Sequence, residues 1–256
     1  MDALTQNFAD FSMITVMAAF AVAFAAGLVK GMVGFAMPAI MISGLASLMS
    51  PDLALAVLIL PTLVANLAQA LRQGGGAALA SIKRFRLFMV VAAVLLVLSA
   101  QLYAVLSVEL ILIGIGAPIA LFSLLQLSGW RPRARQSVKL DLSVGAFAGF
   151  VGGLSGIWGP PTVAYLTAID TPKQEQLRIQ GVIYGLGAVL LFLAHLRSGV
   201  VQAPSMALSA CLVIPAMLGM WAGFAVQDRV DQATFRKITL WVLLIAGANL
   251  VRRGVF

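Results

Sequence analysis

The chain is predicted to be an all-α, polytopic integral membrane protein of about 8–10 membrane segments, arranged as two inverted repeats with broken Gly/Pro-containing segments. Three observations carry this. Its 256 residues are 61% hydrophobic and only 10% charged, with a mean hydropathy of +1.02, whereas a soluble domain carries about 25% charged residues. Apolar stretches of about twenty residues, each enough to cross a bilayer as a helix, recur along the chain. Finally, the run Ala26 to Pro38 returns as Ala148 to Pro160: Ala26, Gly27, Val29, Gly31, Gly34 and Pro38 meet Ala148, Gly149, Val151, Gly153, Gly156 and Pro160 in one register, without a gap. A duplicated Gly-rich, Pro-ended break inside a hydrophobic segment points to the substrate site of a secondary transporter built from two repeats.

Taken in order, apolar segments are expected at roughly 11–29, 31–49, 52–72, 87–107, 109–128, 142–157, 159–169, 176–196, 206–226 and 237–252. Gly31 parts the first two, Pro51-Asp52 ends the second, and Gly74-Gly75-Gly76 opens a loop. A break is expected around Glu109, an Arg-rich loop at 129–141, and further breaks at Asp170-Thr171-Pro172 and between Asp228 and Asp231. The whole of 1–256 reads as one transmembrane domain, with repeats at roughly 1–129 and 130–256. Whether 11–49 and 142–169 are re-entrant hairpins or pairs of full spans stays open.

The net charge of +8 is not a nucleic-acid signal. Arg72, Lys83, Arg84 and Arg86 fill one loop, and Arg131, Arg133, Arg135 and Lys139 another, which is the cytoplasmic bias of short membrane loops. Trp130 beside the second cluster suits an interfacial anchor. Two spans separate these loops, so both can lie in the cytoplasm, which puts Pro51 and the acidic N-terminus outside. The first Gly-rich hairpin then enters from outside and the second from inside, so the repeats are inverted. Asp2 and Asp10 precede the first apolar run without any Lys or Arg, so that run is expected to be a retained span rather than a cleaved signal. Cys211 is the only cysteine; no metal and no cofactor are expected.

The paired G-xxx-G-xx-G-xxx-P elements, the length and the basic central loop together resemble the TauE/SafE family. That resemblance implies a carrier of small anions such as sulfite, sulfoacetate or other sulfonates in the cytoplasmic membrane, mostly outward, with some related proteins serving uptake. It implies a small anionic substrate and a lipid bilayer as partners. A homodimer is compatible with it. Lys30 stands where the family pattern more often has a small or apolar residue, so its role rests on its own position.

Lys30 lies inside the apolar profile. An ammonium there costs at least about 2.5–3.5 kcal/mol, so it faces a cavity or partner, or else snorkels to the surface. The glycines either let helices approach closely or lie in unwound segments whose free N–H groups meet an anion. The expected substrate-binding set is Lys30, Gly31, Gly34, Asn66, Gly153, Ser155, Gly156, Trp158 and Tyr184. Thr162, Gln69, Gln180 and Asn249 are further polar groups near the breaks. No Asp or Glu falls in the middle of a span, so no coupling carboxylate is evident. One reading from a different class remains: Gly153-Leu154-Ser155-Gly156 matches the G-x-S-G element of rhomboid intramembrane proteases, with His195 on a later span as the base. A non-transporting anchoring subunit is a third.

Overall fold

The computed structural model describes residues 11–100, 108–130, 134–155, 159–198 and 203–255. Most of these residues are helical, with no strand among them: α1 (Met13–Val33), α2 (Met37–Leu45), α3 (Pro51–Val57), α4 (Ile59–Leu71), α5 (Gly75–Arg84), α6 (Arg86–Ala100), α7 (Val108–Leu127), α8 (Val138–Ser155), α9 (Gly159–Ala168), α10 (Lys173–Ser198), α11 (Ala203–Arg229) and α12 (Gln232–Val255). Met13–Val33, Asp52–Leu71, Pro204–Arg229 and Gln232–Val255 are each long and apolar enough to cross a membrane. With large apolar side chains such as Ile14, Leu98, Leu110, Ile214 and Ile245 on their outer surfaces, the helices form an all-α polytopic membrane protein.

Two expectations need correction. The first break falls at Gly34 to Ala36, one turn later than Gly31, which lies inside α1. The Gly74–Gly76 stretch opens a helix instead of a long loop. Gly74 alone takes a left-handed conformation (φ 87°), and Gly75 already belongs to α5.

The chain forms two compact units, Met1–Gly74 with Gln180–Val230 and Gly75–Ile179 with Asp231–Phe256. In the first, α1 packs along α11 through a reciprocal glycine seam. A Cβ on Gly27 or Gly31 would fall on the carbonyl oxygens of Ala216 and Met220, and one on Gly219 or Gly223 on those of Phe24 and Leu28. Four glycines thus bring two helix backbones into direct contact, the van der Waals packing that drives association where lipid removes the hydrophobic drive. In the second unit α8 meets α6 in the same manner, Gly149 lying against the carbonyl of Ala92 and Gly145 against that of Phe88. Gly27 and Gly149, which coincide in the sequence repeat, therefore make the same kind of contact. The second unit also pairs α7 with α12, Gly116 and Gly247 each lying against the other's carbonyl.

α3 and α4 are one span bent at Leu58. Pro61 has no N–H for the carbonyl of Val57, and its ring crowds that oxygen. Ser209 on α11, fully buried, replaces the missing bond: its Oγ donates to the Val57 oxygen at 2.7 Å and accepts from the Leu60 N–H at 3.1 Å. Ser209→Ala should cost about 1–3 kcal/mol, because the Val57 carbonyl is left unsatisfied in apolar surroundings. The change would be read as a lower denaturant midpoint. A parental midpoint would mean that helix packing alone holds the bend.

Candidate functional site

α1 stops because Gly34 turns left-handed (φ 87°) while its N–H still reaches the Lys30 carbonyl at 2.7 Å. A side chain at Gly34 would be strained by that φ and would also strike the end of Gln180. Ala36 follows with φ 72°, a conformation that alanine adopts at a cost of about 1–3 kcal/mol when surrounding structure imposes it. α2 then starts with Pro38 in its first turn and no side chain capping it. Proline suits that position, and the N–H groups of Met37 and Ala39 have no acceptor within the helix.

The carbonyls at the end of α1 are held by two buried amides of the same unit. Gln69 Nε2 donates to the Gly34 oxygen at 3.1 Å. Gln180, its amide nitrogen turned toward the break, donates to the oxygens of Val33 at 3.0 Å and Gly34 at 3.1 Å. The break is therefore a fixed turn.

One turn earlier, Lys30 is 2% exposed, so it does not snorkel. Its Nζ donates to Asn66 Oδ1 at 2.7 Å and lies 6.0 Å from the centre of the Tyr184 ring. Asn66 Nδ2 donates to the Tyr184 carbonyl at 3.2 Å, which fixes which end of the amide faces the lysine. Among the described residues no carboxylate pairs with Lys30. An ammonium buried with neutral partners is expensive unless something negative visits it, and its position in the last turn of α1 recovers part of that cost from the helix dipole.

Of the expected set, the first unit brings together Lys30, Gly34, Asn66 and Tyr184. Gly31 sits on the same helix, but its bare Cα serves the seam with α11. Gly153 lies half-buried within α8 in the second unit. Ser155 ends α8; its side chain and that of His195 fall outside what is described, and Gly156 and Trp158 lie outside the described residues. Asn249 is exposed on α12 and accepts from Arg252 at 3.0 Å, away from any break. Gln69 and Gln180 hold the turn; the sequence marked them only as polar groups near it.

In the second unit the carboxylate of Asp141, in the first turn of α8 at the expected end of a span, is buried. Asp141 is 5% exposed and accepts from the Tyr165 hydroxyl and from Gln136 Nε2 at 3.2 Å. Arg84 donates to the other end of the Gln136 amide at 2.8 Å and pairs with Glu175.

The family model described as Sulfite exporter TauE/SafE matches residues 19–250. The chain belongs to the TauE/SafE family. The match takes in both Gly/Pro segments and every residue of the Lys30 cluster. No curated protein and no solved structure matches the chain. TauE/SafE membership points to a membrane transporter of the sulfite/sulfonate type.

Proposed function

We propose that the protein exports a small oxyanion, sulfite or an organosulfonate, across the cytoplasmic membrane, and that Lys30 is the charge its substrate meets. The observation that supports this most is the buried Lys30 Nζ, 2.7 Å from a neutral amide oxygen. An anion entering beside Lys30 supplies the missing counter-charge in a low dielectric, where the attraction is far stronger than in water. The uncapped N-terminus of α2, just across the Gly34–Ala36 turn, adds backbone N–H groups and the positive end of a helix dipole. Binding and release need no covalent step and no cofactor.

Outward movement needs no coupling ion. A cell interior at negative potential favours anion exit by about 2.3 kcal/mol per charge per 100 mV. Sulfite efflux from proteoliposomes should rise when the interior is made negative by a potassium diffusion potential, and flux indifferent to potential would remove the uniport reading.

The inverted arrangement of 1–129 and 130–256 is part of the same proposal. In a protein whose exposed Cys211 has been replaced by alanine, Lys83→Cys and Ser137→Cys should react with an impermeant maleimide only from the cytoplasmic face, and Ser47→Cys only from outside. All three positions are exposed. Labelling of Ser47→Cys and Ser137→Cys from one face would end the inverted-repeat reading.

A further inference from the structure

Resting on the reading of Lys30 as the anion's partner, we infer that the site is matched to a single negative charge: sulfite is carried as hydrogensulfite and a sulfonate as its monoanion, while dianions are rejected. Lys30 is the only buried charged side chain of the first unit among the described residues. Every other polar side chain around the break is neutral. These groups are also committed: Asn66 Nδ2 to the Tyr184 carbonyl, Gln69 to the Gly34 carbonyl, and Gln180 to the Val33 and Gly34 carbonyls.

What else faces the ammonium carries partial negative charge. Asn66 presents its oxygen, and the Tyr184 ring lies 6.0 Å from Nζ, within the range at which the negative face of a ring attracts a cation. One negative charge neutralises the site. A second would lie in a buried setting where only the partial positive charge of the α2 N-terminus, and no second cation, is there to meet it, close to the arrangement that makes an unpaired buried charge so costly. The discrimination is therefore by charge rather than by shape, because a sulfonate and sulfate present oxygens of the same kind in nearly the same volume.

Methanesulfonate and sulfate are the probes, a permanent monoanion and a permanent dianion of similar size, titrated calorimetrically into the full-length purified protein at one pH. Methanesulfonate should bind at least tenfold more tightly than sulfate, about 1.4 kcal/mol. In Lys30→Met the two should fall to the same weak level. Lys30→Gln, which keeps a donor toward Asn66, serves should the Met variant fail to fold. Sulfate binding as tightly as methanesulfonate would overturn the inference and leave the anion site standing. A preference that survives loss of Lys30 would also overturn it. If neither anion binds to folded protein, the proposed function falls, and this inference with it.

Discussion

Asn66→Asp should abolish anion binding while leaving the protein folded. The substitution changes one atom of the side chain and places a carboxylate oxygen where Oδ1 now accepts from Lys30 at 2.7 Å. The ammonium then has a permanent counter-ion, and an arriving anion meets a site with no net charge. A close pair at an effective dielectric near 20 is held by about 4 kcal/mol, so affinity for sulfite or a sulfonate should drop by at least about 100-fold, or about 2.7 kcal/mol. The Asn66 bond to the Tyr184 carbonyl is lost, at a cost of about 1–3 kcal/mol, which the new ion pair offsets. Thermal unfolding should therefore stay near that of the parent. Lys30→Met should lose binding as well, but by removing the charge instead of neutralising it. Parental affinity in Asn66→Asp would show that the substrate binds elsewhere.

Gly27→Ala should be among the most damaging single-methyl changes in the chain. Its Cβ would fall on the carbonyl oxygen of Ala216, with the Met220 nitrogen at 3.0 Å. These are backbone atoms of a packed helix, so neither can rotate aside, and α1 and α11 must separate along the whole seam. Overpacking of this kind costs about 1–3 kcal/mol, and more where nothing can yield. Denaturant titration in mixed micelles should place Gly27→Ala at or above about 3 kcal/mol of destabilisation. Gly114→Ala on α7 is the control, since a Cβ there meets nothing within 4 Å; it should be neutral or raise stability by up to about 1 kcal/mol, as alanine for glycine does inside a helix. If both variants unfold at the parental midpoint, the seam contributes nothing to stability.

Glycine explains both what the sequence revealed and where it misled. The repeated Gly/Pro element located the break, and Lys30 stood out because a charge in an apolar run demands a reason. Gly31 and Gly34 look alike in a sequence, yet one is bare to admit a neighbouring backbone and the other to reach φ 87°. Only the position of α11, far along the chain, separates the two causes, and the break was misplaced by one turn as a result. Asn66 and Tyr184 were reachable because they lie in the spans after each break. The roles of Gln69 and Gln180 were not, since holding the ends of α1 depends on how α4 and α10 cross. Gly181 lies against the backbone of Ala70 at that crossing. Asp141 does stand at the end of its span, in the first turn of α8, but its burial was not legible, because Tyr165, 24 residues further on, is brought to it only by the fold. The bend at Pro61 was missed too, because its remedy is a serine on another helix.

The pairing of α1 with α11 also sets a timetable for biogenesis. About 190 residues separate Gly27 from Ala216, and a ribosome adding about 5–20 residues per second needs roughly ten to forty seconds to make them. During that interval α1 is in the bilayer or held by the insertion machinery with its bare glycine face toward lipid or a chaperone. A nascent chain stalled before α11 has no partner for that face, whereas α6 and α8, separated by little more than a loop and α7, meet early. Quality control should therefore find its most exposed substrate in chains that stop short of Ala203–Arg229. α11 thus reaches α1 only after α2 to α10 have been made, and α12 reaches α7 later still.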